Sequence, residues 1–262
     1  MMMAEMIDRK QHKADAKTCL RSAQVSPKAM MALYMGLALA LNLVDAVAGG
    51  GAEGLVNRNP LGTFVSVLTG LLGLVLATGF TLYCMALRRG ERAEFLSLFD
   101  GFSFVGKIIG LYLVEYFFIF LWSMLFAIPG LIAIYRYRFA IYNLCENPEL
   151  GVMEALDMSK RQTLGYKGQL FMLDLSYFGW SLLASIPVGY EGYYLAQNMA
   201  MPIPTLVYIL LVGLWSLAVS LFYFPGFQCV DLSYYEVAVR TSGISAVPCE
   251  APPRMDDGGN TF

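Results

Sequence analysis

Long apolar runs broken by short polar ones dominate the chain. A bilayer core is about 30 Å thick and a helix needs roughly 20 apolar residues to cross it. Gly62 to Leu87 is 26 residues without a charge, and Gly192 to Val230 is 39 more. Runs of that length exceed what buried helices of soluble domains present. The pattern predicts an all-α fold, a polytopic transmembrane helix bundle of about six spans, at 29–49, 62–87, 104–128, 131–147, 168–188 and 203–225. Ser26 and Pro27 start the first span as N-cap and first helical residue, where a missing N–H costs nothing.

Two further segments have helical period but are too polar to cross. Residues 8–24 place Arg9, Lys10, Lys13, Lys17 and Arg21 on an amphipathic helix suited to anionic headgroups. The segment from Asn147 to Leu164 reads as a second such helix. Asn147 is its expected cap and Pro148 its first residue, and Leu150, Met153, Leu156 and Leu164 oppose Glu154, Asp157, Lys160 and Arg161. The expected organisation is a cytoplasmic amphipathic segment at 1–28, a transmembrane helical domain at 29–239 and a disordered cytoplasmic tail at 240–262, rich in Pro, Gly, Ser and Asp.

Span four is separated from span three only by Ile128-Pro129-Gly130. A kink there predicts five spans and a break predicts six. Pro followed by Gly favours the break, hence a tight helical hairpin at Pro129 and Gly130. Charge agrees. With six spans, fifteen of the eighteen Lys and Arg residues fall on one side, Arg58 alone falls on the other, and Arg136 and Arg138 lie within span four. Cytoplasmic loops hold Lys and Arg in excess, so both termini are expected in the cytoplasm.

Composition sharpens the class. Charged residues make up 15% of the 262, against about 25% in soluble domains, and mean hydropathy is +0.56. The net charge of -2 argues against a nucleic-acid partner. A cleavable signal peptide is not expected, because Met1 to Arg21 lacks an apolar core. The five cysteines have no paired spacing, and all fall at or near the cytoplasmic side, where thiols stay reduced. No cofactor or metal motif is present, and with His12 the sole histidine, a Ser-His-Asp triad within the membrane is excluded. Gly101-Phe102-Ser103-Phe104-Val105-Gly106 fails as a nucleophile elbow, which requires Gly two places after the Ser.

Several motifs occur in a fixed order: Leu121-Trp122-Ser123, Ile128-Pro129-Gly130, Asn147-Pro148-Glu149-Leu150, Glu154-Ala155, Ser159, Gly165-Tyr166-Lys167 and Leu173 to Trp180. Over Phe102 to about Gln197 the chain thereby resembles the domain-of-unknown-function 975 family of bacterial integral membrane proteins. Leu232-Ser233-Tyr234-Tyr235-Glu236 is similar to that family's closing Tyr-rich motif. The resemblance implies a multi-pass protein of a bacterial plasma (inner) membrane and implies no activity. Glu115 and Arg138 depart from the recognised pattern. The chain also echoes itself, Trp122 to Pro129 aligning with Trp180 to Pro187, which leaves a duplicated helix pair and chance similarity both open.

Ionisable groups inside a span cost about 2.5–3.5 kcal/mol each on insertion scales and are functional candidates by default. They are Glu115 in span three, Arg136 and Arg138 in span four, Asp174 in span five, and Asp45 with the amide of Asn42 toward the outer end of span one. Arg136 and Arg138 lie about 200° apart around a helix, so one faces the bundle while the other snorkels to headgroups. Arg138, Glu115 and Asp174 are expected to form an ion cluster, either a substrate or proton site or a structural pairing that sets helix register. Span two carries Gly62, Ser66, Gly70, Gly73 and Ala77 on one stripe, a helix-packing seam within the bundle or toward a second copy. Pro187 is an expected kink in span five.

Three functions compete. The first is a non-enzymatic transport or export component for a small or amphipathic solute. The second is a scaffold or accessory subunit that binds a membrane-protein partner or forms a homodimer. The third is a lipid-acting enzyme using Asp157 and Asp174 at the inner leaflet. The lipid bilayer is a partner in each.

Overall fold

The computed structural model describes residues 7–22, 25–49, 60–196 and 204–246. The Gly50-Gly51 loop, Arg58, Cys249 and the tail beyond Ala246 lie outside them. Every regular element among the described residues is a helix: α1 (Arg9–Ser22), α2 (Pro27–Gly49), α3 (Pro60–Arg89), a 3-10 helix (Phe95–Phe104), α4 (Val105–Leu125), α5 (Ala127–Tyr137), α6 (Ala140–Glu146), α7 (Val152–Gln162), α8 (Lys167–Ala196) and α9 (Thr205–Ser242). The all-α polytopic bundle is therefore borne out. Among the described residues, five helical segments are long and apolar enough to cross a membrane, at Pro27–Ala48, Pro60–Arg89, Phe95–Leu125, Lys167–Pro187 and Val207–Ser242.

Burial is concentrated at one end of the helices. The buried residues of α2 are Met30 and Met31 near its start, and those of α3 fall mainly between Val75 and Leu87. In α8 they are Leu170 and Leu173, and in α9 a dense set spans Cys229 to Ala238. Together with α1, α6 and α7 these segments make one close-packed end, here called the head. Away from it the helices turn large apolar side chains outward, among them Phe64, Phe117, Phe120, Phe178, Leu211 and Phe222. Water would penalise that surface by about 25 cal/mol per Å², so hydrocarbon is its natural solvent.

Three sequence expectations change. Span 131–147 is not one helix. α5 rises from a break at Phe126, whose backbone is extended (φ -162°, ψ 152°), and stops at Tyr137; α6 begins at Ala140. The hairpin at Pro129 and Gly130 does form. Proline in the first turn of α5 forfeits no helical bond, and a Cβ at Gly130 would lie 2.2 Å from Ser123 Oγ, so only glycine lets α4 and α5 close this tightly. The last helix does not end at 225 but runs through Pro225 to Ser242, where Gly243 closes it in the left-handed region (φ +66°). Residues 240–246 therefore do not belong to a disordered tail. Asn147 Nδ2 donates to Ala246 O (3.1 Å), and Gln162 Nε2 donates to Ile244 O (3.1 Å). Finally, Asn147 does not cap α7. Its Oδ1 takes the Glu149 N–H (3.0 Å) in a turn, and α7 starts at Val152.

α7 is no simple surface helix either. Ala155, Leu156, Ser159 and Gln162 are buried, whereas Met153 and Leu164 are exposed, so its inward face differs from the expected one by part of a turn. The small-residue stripe of α3 makes no close approach within the chain at Gly70 or Gly73. A Cβ at Gly70 or Gly73 meets nothing within 4 Å, whereas one at Gly79 would lie 1.8 Å from the Leu98 carbonyl oxygen. The close approach in α3 is thus to the 3-10 helix, through Gly79 and not through Gly70 and Gly73. Pro187, the expected kink of span five, sits within α8. Its missing N–H frees the Leu183 carbonyl, four residues earlier, and Trp215 Nε1 of α9 donates to that oxygen (3.0 Å).

Candidate functional site at a broken helix

The gap between α5 and α6 exposes backbone groups in a buried place, and α7 satisfies them. Ser159 Oγ donates to Arg136 O (2.9 Å) and accepts the Phe139 N–H (3.1 Å). Thr163 Oγ1 stands by at 3.3 Å from the same Arg136 carbonyl. Phe139 itself takes φ -89°, ψ 0°, a sparsely populated conformation that turns the chain between the two helices. Below the break, Asn143 and Gln162 exchange amide hydrogen bonds in both directions at 2.8 Å. The break is a built element, held open by polar side chains that are themselves buried.

Arg138 occupies the break and points into the bundle. Its Nη1 and Nη2 reach Asp174 Oδ2 and Oδ1 at 2.8 and 3.0 Å, a bidentate pair. Its Nε lies 3.1 Å from Asp231 Oδ2 in a hydrogen bond and 3.0 Å from Oδ1, which is out of line for one. Tyr135 OH donates to Asp174 (2.8 Å), and Tyr142 OH donates to Asp231 (2.5 Å). Gln228 Nε2 then reaches Tyr142 OH and Thr81 Oγ1, both at 3.3 Å. One guanidinium faces two carboxylates, so the cluster carries a formal charge of -1. The three side chains differ in access: 15% exposed for Arg138, 33% for Asp174 and 4% for Asp231.

Arg138 and Asp174 thus meet, as their positions promised. Glu115 does not join them; on α4 it makes no hydrogen bond or ion pair among the described residues. The second carboxylate is Asp231, which hydropathy reasoning missed by ending the last span at 225. A signal was present: one Asp directly after 39 uncharged residues and just before Tyr234, Tyr235 and Glu236. Arg136 faces the other way and lies near enough to Asp157 and Lys167 to feel their charge, at the head rather than at the opposite surface. At the far end, Asp45 and Ser66 hydrogen-bond, and Asn42 Nδ2 returns to Ala38 O (2.7 Å). With Gly70 and Gly73 these residues line a separate groove of about 310 Å³ between α2 and α3. Ala77 lies farther along α3.

Two cavities flank the cluster. One of about 440 Å³ lies between α8 and α9 and is lined by Asp174, Tyr135, Phe178, Tyr223, Phe224 and Phe227 among others. The other, of about 220 Å³, is lined by Tyr142, Gln228, Thr81, Tyr112, Tyr34 and Phe224. The polar chain Asp174–Arg138–Asp231–Tyr142–Gln228 runs from the first to the second. It sits at the head-side edge of the apolar surface. Exposed apolar residues on α5 end at Ile134, four residues before Arg138, and on α8 they begin at Phe171, three before Asp174.

Residues 124–240 match the family model described as "Protein of unknown function (DUF975)". The match covers less than half of the chain and is a similarity over that stretch alone. It holds α5, α6, α7, α8 and nearly all of α9, hence the broken helix and every charged member of the cluster. The match starts later than the resemblance read from the motifs, leaving Leu121-Trp122-Ser123 outside, and it reaches past the closing Leu232 to Glu236 motif. No curated protein and no solved structure matches the chain.

Around this matched stretch the head is tied by charge. Arg88 of α3 grips Glu236 of α9 through two bonds (2.7 and 2.5 Å), and Arg89 reaches Glu146 (3.1 Å). α1 crosses α8, with Lys13 Nζ on Ser176 Oγ (3.1 Å) and Arg9 Nη1 on Met172 O (3.4 Å). Burial, then repulsion from Arg9 and Lys17, lowers the Lys13 ammonium from its ordinary range. On α7, Lys160 holds the Asp157 carboxyl below its usual range by hydrogen bond and charge. Asp157 stays paired at the surface, on α7 rather than beside Asp174. Cys84, Cys145 and Cys229 are in no disulfide, and Cys19 Sγ donates to the Leu87 carbonyl oxygen (3.6 Å).

Proposed function

We propose that this membrane protein is a non-enzymatic transport or export component for a small or amphipathic solute. The observation that carries the reading is the charged relay from Asp174 through Arg138 and Asp231 to Tyr142, which joins two cavities across a broken helix. Discontinuous helices place backbone and side-chain polar groups at membrane depth where they line a cavity. An intramembrane ion cluster of unequal members also has two ways to pair, because Arg138 can favour either carboxylate. Alternating between them as a solute enters or leaves is the elementary step of such a carrier.

The membrane concerned is a bacterial plasma membrane, with both termini on the cytoplasmic side. Support comes from the clustering of basic residues. Arg9, Lys13, Arg88, Arg89, Lys160 and Lys167 all belong to the head, which also holds α1 and the end of α9, in keeping with retention of Lys and Arg on the cytoplasmic face.

The test is flux in vesicles. Wild-type protein and the Asp231→Asn and Arg138→Gln variants are reconstituted at equal density, and a panel of amphipathic dyes is followed across the bilayer. Both variants are expected to lose flux that the wild type supports. Undiminished flux in both, or none in the wild type for any dye, would overturn the proposal. A scaffold role is the second reading. It is favoured by the open stripe at Gly70 and Gly73, where α3 has room for a helix from another subunit. It predicts a co-purifying partner or dimer that Gly70→Leu weakens.

A further inference from the structure

We infer that the cavity between α8 and α9 is a binding site for a lipophilic organic cation, held by the Asp174 carboxylate at one end and aromatic faces along its length. The inference rests on the transport reading only in naming what that site would take; binding stands on its own geometry. The volume is about 440 Å³, enough for a multi-ring organic ion. Its walls include Tyr135, Phe178, Tyr223, Phe224 and Phe227, with Asp174 among them. Aromatic faces carry negative quadrupole charge and attract cations within about 6 Å. A neutral apolar guest gains nothing from the carboxylate, and an anion is repelled by it.

The protein's own architecture already demonstrates the chemistry. The Arg138 guanidinium lies 5.6 Å from the Phe227 ring centroid and 5.9 Å from that of Tyr135 while it pairs with Asp174. A cation is thus stabilised at the cavity wall by the carboxylate and rings that a guest would use. The charge count leaves room for a second one. Arg138 neutralises one carboxylate of two, and Asp231 is the more deeply buried, at 4% exposure. A guest cation at Asp174 would complete neutrality while Arg138 keeps Asp231 through Nε. Asp174, one-third exposed, is the carboxylate that a ligand can reach.

Trp180 offers a built-in reporter. It stacks on Tyr223, a cavity residue, with ring centroids 6.1 Å apart and planes 13° from parallel. Purified protein in nanodiscs is titrated with tetraphenylphosphonium, following tryptophan fluorescence, and in parallel with the isosteric anion tetraphenylborate. A Trp180→Phe control assigns the signal. Saturable quenching by the cation is expected, with affinity at least tenfold above that for the anion. Asp174→Asn should weaken the cation at least tenfold. Phe227→Leu keeps both Asp174 and Arg138 and removes one aromatic face, so it should weaken the cation severalfold in protein whose helical circular dichroism is unchanged. Equal affinity for both ions, or cation binding untouched in both variants, would overturn the inference. The two proposals fail separately. A protein that binds the cation yet moves no dye refutes transport alone, and one that moves neutral dye without binding the cation refutes this assignment alone.

Discussion

Removing one hydroxyl at Ser159 tests whether α7 holds the α5–α6 break open. That oxygen serves two backbone groups at once, donating to Arg136 O and accepting from Phe139 N, and Ser159, Thr163 and Phe139 are each fully buried. In Ser159→Ala the Phe139 N–H has no other acceptor described, and a buried unsatisfied group costs about 1–3 kcal/mol. The Arg136 carbonyl is better insured. Thr163 Oγ1 normally donates its single proton to Ser159 O at 2.8 Å, a carbonyl that already receives the Thr163 N–H, and it can turn to Arg136 O at 3.3 Å. Thr163→Val alone should therefore cost only about 0.5–1.5 kcal/mol, the net worth of one ordinary hydrogen bond. The double variant strands both backbone groups and should exceed the sum of the singles by about 1–3 kcal/mol. Unfolding of purified protein in mixed micelles by stepwise addition of a denaturing detergent reads all four free energies of the cycle. An additive pair, or a Ser159→Ala variant as stable as the wild type, would refute the idea that these hydroxyls hold the break.

The same titration checks three further expectations. Asp231→Asn should destabilise more than Asp174→Asn, because the deeper carboxylate has less access to water; Arg138→Leu, which strands both, should cost about 3–5 kcal/mol. Trp215→Phe should lose about 1 kcal/mol by leaving the Leu183 carbonyl unmatched, and Pro187→Ala should abolish that penalty by restoring a main-chain donor; a penalty that persists in the double variant would contradict it. Gly130→Ala forces a methyl against Ser123 and should cost about 1–3 kcal/mol, whereas Gly70→Leu, facing open space, should change the stability of a single chain by less than about 0.5 kcal/mol.

Hydrophobic length alone made much of the bundle legible. α2, α3 and α8 begin within two residues of the expected starts, since uninterrupted apolar runs leave the backbone no alternative to helix in lipid. Ile128-Pro129-Gly130 announced the hairpin because proline and glycine act locally. The break at Arg138 and Phe139 did not announce itself: neither residue disfavours a helix, and what stops α5 is a competing set of partners supplied by Ser159 and Thr163, twenty or more positions away. Arg138 and Asp174 were identifiable one by one as charges in apolar surroundings. Their second partner was hidden because the last span was placed at 203–225, whereas the helix continues through Pro225 to Ser242, since a proline inside a long helix removes one bond and leaves the helix to continue. Glu115 shows the converse: a charge in a span is conspicuous in the sequence, but only the rotation of its helix decides what it meets.

α9 couples two environments through one unbroken rod of 38 residues. Its first half presents Leu210, Leu211 and Leu214 outward, and its second half meshes Asp231, Tyr235 and Glu236 with Arg138, Asn143 and Arg88. Inserting a single alanine after Gly226 would swing everything beyond it by about 100° and advance it about 1.5 Å. The outer half would keep its phase, while all three teeth would miss their notches together. Length at that point is therefore more tightly constrained than composition, and a deletion there should silence the protein where many substitutions would pass unnoticed.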